Sequence, residues 1–147
     1  VPVIQQVVSA QNILAVTKKI KIEFAKDWPK QLILAADTEK ISQVFQNLLD
    51  NSFKYSKMGG KIELGCQQAK KEITFSVKDQ GIGIPPKQQS RVFERFFRAD
   101  NALTSHTDGT GLGLHIVKAI IEGHKGKIWF ESEEGKGSTF YFTLPVK

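Results

Sequence analysis

The chain has 147 residues, 40% hydrophobic and 24% charged, which suits one compact domain with a real core and excludes a disordered or fibrous polypeptide. Its formal charge of +6 comes from basic residues spread along the chain, with only short groups at Lys18, Lys19, Lys21 and at Lys70, Lys71, so a small anionic ligand accounts for the balance as well as nucleic acid does. The single cysteine, Cys66, excludes an internal disulfide and points to a reducing compartment, and no apolar run approaches the about 18 residues of a membrane span.

In chain order, Pro2 to about Lys18 places Ile4, Val7, Val8, Leu14 and Ala15 at helical spacing, and Lys19 to Phe24 switches to period two, as a half-buried strand does. Trp28-Pro29 breaks the strand, and Gln31 to Ala35 is a short apolar run. Asp37 or Thr38 can cap a helix over Ile41 to Tyr55, with Glu39 near its positive end. On that helix Ile41, Val44, Phe45, Leu48, Leu49 and Ser52 share one side, while Gln43, Asn47, Asn51 and Lys54 line the other. Lys61 to Gln67 and Glu72 to Val77 alternate and predict an antiparallel hairpin, with Cys66 facing the core. A short amphipathic helix is expected at about Ser90 to Phe97, followed by ten residues, Ala99 to Asp108, of little apolar content. A helix from about Leu114 to Glu122 precedes a closing hairpin of Lys127 to Ser132 and Ser138 to Leu144. Together these elements predict an α/β two-layer sandwich: a mixed, mostly antiparallel sheet of about five strands covered on one face by helices.

Three stretches carry chemistry. Two carboxamides one turn apart, Asn47 and Asn51, with an ammonium at Lys54, suit a phosphate chelate, because an amide oxygen is a hard ligand for Mg²⁺; the same face also reads as a plain polar stripe. Asp79-Gln80-Gly81-Ile82-Gly83-Ile84-Pro85 sets a carboxylate at a strand end beside a backbone stripped of side chains, where a flat base can lie, or forms a tight turn and nothing more. Gly109-Thr110-Gly111-Leu112-Gly113 opens a helix and can turn backbone N–H groups toward a phosphate. It is neither a Walker loop nor a dinucleotide fingerprint, since no Lys-Ser or Lys-Thr follows and no strand of a βαβ unit precedes it.

In this order, with Val92-Phe93-Glu94-Arg95-Phe96-Phe97-Arg98 between the second and third, the chain resembles the ATP-binding catalytic domain of sensor histidine kinases, in the GHKL ATPase superfamily. NLLDNSFKYS is similar to the family's N box, DQGIGIP to its G1 box, VFERFFRAD to its F box, GTGLGLHIVK to its G2 box and GSTFYFTLP to its closing strand. The resemblance implies a single domain over 1–147 with an ATP lid at about 86–108, ATP and Mg²⁺ as cofactors, and Asn51 as metal ligand supported by Asn47. It implies that Lys54 and Arg98 reach the phosphates and that Tyr55 packs near the adenine. It also implies that Asp79 reads the base, that Gly81 and Gly83 allow its approach beside Ile84, and that Thr139 stands behind Asp79 with an ordered water. Phe93 and Phe96 are then lid anchors, and Gly109, Thr110, Gly111, Leu112, Gly113 and Leu114 cradle the phosphates.

Hydrolytic relatives carry a glutamate one turn before the metal-binding asparagine; here that place is Asn47, and an amide takes no proton from water. The nucleophile is then expected from elsewhere, and the resemblance implies transfer of the γ-phosphoryl group to a histidine supplied by a separate dimerisation hairpin, and onward to a response regulator's receiver domain. None of His106, His115 and His124 fits the acceptor. A GHKL serine kinase of the anti-sigma type and a non-catalytic ATP-sensing module are the alternatives. The expected setting is cytoplasmic, in a parent protein free to carry a membrane anchor, with no nucleic-acid partner and no membrane contact by these residues. Val1 at the start and Met58 as the only methionine predict an excised domain, with the hairpin and sensor regions outside it.

Overall fold

A computed structural model describes residues 19–30, 36–55, 60–84, 86–91, 93 and 113–146. The helix expected over Pro2 to Lys18, the run Gln31 to Ala35 and most of the expected lid lie outside the described residues.

Among the described residues the strands are β1 (Lys21–Phe24), β2 (Lys61–Gln68), β3 (Glu72–Lys78), β4 (Ile128–Glu133) and β5 (Gly137–Pro145). They form one five-stranded sheet in the order β1-β2-β3-β5-β4. The β1–β2 pair is parallel and the other three are antiparallel, which is the mixed, mostly antiparallel sheet expected. Parallel neighbours need a crossover, and α1 (Thr38–Tyr55) supplies it between β1 and β2. The second helix, α2 (Gly113–Gly123), precedes the closing hairpin, whose last strand inserts between β3 and β4.

Alternation explains the two layers. Ile62, Leu64 and Cys66 on β2, Ile73, Phe75 and Val77 on β3, and Phe140, Phe142 and Leu144 on β5 are buried beneath Val44, Phe45, Leu48, Leu49 and Phe53 of α1 and Val117 and Ile121 of α2. At the centre the Phe75 ring stacks on Phe142 at 5.2 Å and meets Phe45 edge-on at 5.4 Å. Such pairs add about 0.5–1.5 kcal/mol each beyond the area they bury. Burial pushes the Cys66 thiol up to about 11, aided by the charge of Asp27, so this cysteine is core material.

Of the two capping candidates the fold uses Asp37. Its Oδ1 accepts the N–H groups of Glu39 at 3.0 Å and Lys40 at 3.2 Å, while Thr38 is the first residue of α1. His124, just past α2, accepts the Asp37 N–H at Nε2 (3.1 Å) and meets the Ile120 carbonyl at Nδ1 (2.9 Å). An N–H opposite one ring nitrogen and a carbonyl opposite the other require the neutral Nδ1–H tautomer, and the contact fastens the end of α2 to the start of α1.

After Pro85 a 3-10 helix occupies Pro86–Arg91, and most of the amphipathic helix expected at about Ser90 to Phe97 lies outside the described residues. Pro86 has its φ already fixed and no N–H to satisfy, so a turn starts there at little cost. The Gln89 side chain then donates to the carbonyls of Ile84 and Ser132, both at 3.1 Å, which occupies a carbonyl on edge strand β4.

Candidate functional site

The polar face of α1 sets Asn47 and Asn51 one turn apart, both half-buried rather than fully solvated. Asn47 Nδ2 is buried with no hydrogen-bond partner among the described residues. An amide donor in that condition is costly to the fold unless something beyond the described residues accepts from it. Lys54 and Tyr55 occupy the last turn of α1, and their side chains lie outside what is described.

Strand β3 ends at Lys78 and delivers Asp79 into the interior, 5% exposed. Its Oδ1 accepts the N–H of Gly81 at 3.0 Å and of Ser138 at 3.2 Å, and its Oδ2 takes only a long contact, 3.4 Å, from the Ser52 hydroxyl. Burial pushes this carboxyl up to about 6, and the three donors offset only part of the shift. A desolvated acceptor with one oxygen weakly engaged is suited to a donor on a ligand. Ser52 follows Asn51, so a single residue step on α1 joins the carboxamide face to the carboxylate.

The loop after Asp79 is held from below. Gly83 has φ +69° and sits so close to the β4–β5 turn that a Cβ there would collide with the Glu133 carbonyl oxygen. The missing side chain of Gly83 therefore makes room for protein backbone. The Gly135 N–H donates to the Ile82 carbonyl at 2.7 Å, and the Ile84 N–H donates to Ser132 Oγ at 2.8 Å. Ile84 itself packs against the core.

A correction concerns Thr139. On β5 Ser138, Phe140 and Phe142 are buried toward the helices, so by strand alternation Thr139 faces the opposite side with Tyr141, whose ring stacks on Trp129. Ser138, one residue earlier, is the hydroxyl residue beside Asp79. Phe140 and Phe142 were the available signal: an inward hydroxyl partner must share their parity. Ser52, Ser132 and Gln89 had no local signal, because the contacts that tie them to Asp79, Ile84 and the Ser132 carbonyl respectively span 27, 48 and 43 residues.

On the helix side, Gly113 is the first residue of α2 and Leu114 packs against the core. Phe93 rests edge-on against Phe130 at 5.8 Å, with the Lys118 ammonium 5.7 Å from its ring centre and its carbonyl 3.4 Å from His115 Nδ1. Phe96, Arg98, Gly109, Thr110, Gly111 and Leu112 lie outside the described residues. An open groove of about 430 Å³ between α1 and α2 is lined by Lys40, Gln43, His115, Ile116, Ile120 and His124 among others; Gln43 is one turn from Asn47, and Asp79 does not line it.

Residues 36–147 match the family model described as histidine kinase-, DNA gyrase B-, and HSP90-like ATPase. The chain is similar to the sensor histidine kinase WalK of Bacillus subtilis (strain 168), 45% identical over 134 residues that cover 89% of this chain and 22% of that protein. It is similar to the solved catalytic domain of histidine kinase ThkA, with 32% identity and a TM-score of 0.84 over 99% of this chain and 92% of that one. ThkA solved in complex with the response regulator protein TrrA matches at 28% identity and a TM-score of 0.81, over 99% of this chain and 40% of that one. The chain thus spans less than a quarter of the length of WalK.

Proposed function

The chain belongs to the histidine kinase-, DNA gyrase B- and HSP90-like ATPase family, and from that premise we propose that it is the Mg-ATP-binding catalytic domain of a sensor histidine kinase, passing the γ-phosphoryl group to a histidine on a separate helical hairpin. A response regulator then takes the group onto an aspartate. The observation that carries the reading is Asp79, buried, ionisable near neutrality and with Oδ2 only loosely engaged.

In this reading Asp79 Oδ2 accepts the amino group of adenine, and guanine is refused because it presents a carbonyl oxygen to the same carboxylate. The lone amide of Asn47 donates to a phosphate oxygen, which satisfies the buried Nδ2. Asn51 offers its amide oxygen to Mg²⁺, whose charge, when bound, neutralises the β- and γ-phosphates. Lys54 and Arg98 add charge at the same phosphates, and Tyr55 and Phe96 pack about the nucleotide. Gly109 to Gly113 direct backbone N–H groups at it, with Leu114 as the apolar base of that loop. Because Asn47 cannot accept a proton from water, the chain positions and polarises ATP and leaves the nucleophile to the hairpin. The use of ATP and the buried free thiol of Cys66 support a cytoplasmic site. Among the described residues no helix is long and apolar enough to cross a membrane.

The test is transfer from γ-labelled ATP to the isolated hairpin of the parent kinase. Label on the hairpin that is lost in acid and kept in alkali supports the reading; acid-stable label on serine replaces it with a serine kinase, and binding with no transfer reduces it to a nucleotide sensor.

A further inference from the structure

Ser132 and Gln89 belong to none of the nucleotide boxes, yet the loop after Asp79 is fastened through both. The Ser132 hydroxyl has three neighbours: the Ile84 N–H at 2.8 Å, Ser138 Oγ at 2.8 Å and the Gly137 carbonyl at 3.2 Å. The amide can only donate, so Ser132 Oγ accepts from Ile84; its one proton is available to the Gly137 carbonyl or to Ser138 Oγ, and either hydroxyl of that pair can donate. Gln89 donates to the carbonyls of Ile84 and Ser132, so Ile84 is gripped at both its N–H and its C=O. The Ser138 whose hydroxyl is hydrogen-bonded to Ser132 also supplies a backbone N–H to Asp79 Oδ1.

We propose that Ser132 and Gln89 form a clamp that positions the Asp79–Ile84 loop for nucleotide recognition, holding Asp79 Oδ1 on its two backbone donors so that Oδ2 stays available to the base. Neither residue touches the nucleotide; both are positioning residues, and the inference rests on the assignment of Asp79 as the base-reading group. Without the Ser132 hydroxyl the Ile84 N–H loses its acceptor and the Ser138 hydroxyl its partner. The loop relaxes, and binding suffers before chemistry does.

The experiment is calorimetric titration of the 147-residue chain with Mg-AMPPNP and with its guanine analogue, run on Ser132→Ala, Ser132→Thr, Gln89→Met and Asp79→Asn. Loss of the part-buried hydrogen bonds that hold the loop predicts that Ser132→Ala and Gln89→Met each weaken adenine nucleotide binding about ten- to thirtyfold and narrow the adenine-to-guanine preference. Ser132→Thr, which keeps the hydroxyl, should stay within about threefold of wild type by the same scale. Gln89→Met keeps the clamp testable if Ser132→Ala does not fold. If both folded variants bind with unchanged affinity and preference, or if the threonine variant is as impaired as the alanine one, the clamp is wrong. Unchanged binding by Asp79→Asn would instead overturn the site assignment itself, so the two failures are distinguishable.

Discussion

The backbone N–H of Ser138 donates to Oδ1 of Asp79 across 3.2 Å, tying the start of β5 to a carboxylate 59 residues earlier. With the Gly81 N–H on the same oxygen, Oδ1 is saturated from the protein side and Oδ2 is left with one long contact from Ser52. The carboxylate is therefore held in place by groups that do not compete with a ligand at its second oxygen.

Replacing Asp79 with asparagine should stabilise the fold and remove its function. The asparagine Oδ1 can still accept both N–H groups and its Nδ2 can donate to Ser52, while the buried charge is gone. Taking the shift from 3.8 to about 6, relief of that charge amounts to as much as about 3 kcal/mol at neutral pH. Adenine binding should fall about a hundredfold, because an amide donor would now face an amino donor. Thermal unfolding and calorimetric titration on the same preparation check both halves; a variant that is less stable and binds normally would contradict the assignment.

The stability gain of that variant should depend on pH. Folding raises the Asp79 pKa, so the wild-type carboxyl contributes most to stability when protonated, below its unfolded value of 3.8, and that contribution is lost as pH rises through about 6. The gap between Asp79→Asn and wild type should accordingly be near zero below about pH 4, open between about pH 4 and 6, and level off above about pH 7. If Asp79 reads the base as proposed, nucleotide binding by wild type should run the other way, since it would use the ionised carboxylate. Denaturant midpoints of the two proteins across this range measure the gap, and a difference that is flat with pH would place the charge elsewhere.

Gly83→Ala should be among the most damaging single-methyl changes in the chain. A left-handed φ of +69° already disfavours alanine, and the added carbon would press into the Glu133 carbonyl, which is backbone and cannot swing aside. A cost of about 2–4 kcal/mol follows, appearing as a lower midpoint in urea. Gly135→Ala, also at positive φ but with open space around the new carbon, should cost only the about 1–2 kcal/mol of a left-handed alanine, with no collision added, and serves as the control.

Much of the sheet could be read from local pattern alone, because a strand with one buried face alternates whatever its neighbours are: Ile62, Leu64, Cys66 and Ile73, Phe75, Val77 announce themselves. The order of the strands could not, since β5 slips between β3 and β4 and that choice is made by contacts far apart in the chain. The same division runs through the site. Asp79 and the asparagines stand in recognisable short patterns, whereas the contact that defines Gly83 lies 50 residues away at Glu133 and leaves no trace in the motif. Thr139 was misplaced by a single residue, and a single residue on a strand is the other side of the sheet. The capping choice between Asp37 and Thr38 was open for a different reason: both side chains can accept from a helix N-terminus, and only the geometry selects one.

Asn47 offers the reverse of the usual cost of deleting a buried polar group. Its Nδ2 is buried without a partner among the described residues, so these residues gain nothing from that donor while its desolvation counts against folding. Asn47→Ala should leave stability unchanged or raise it by about 1 kcal/mol. If the amide donates to a phosphate oxygen, the same change should weaken Mg-ATP binding about ten- to hundredfold, the range for a hydrogen bond to a charged group. Adenosine, which has no phosphate, should bind the variant and wild type alike. Parallel titrations with Mg-ATP and adenosine read the distinction directly. An equal loss for both ligands would mean that Asn47 shapes the base pocket, and a loss for neither, with lowered stability, would mean that its amide serves the fold alone.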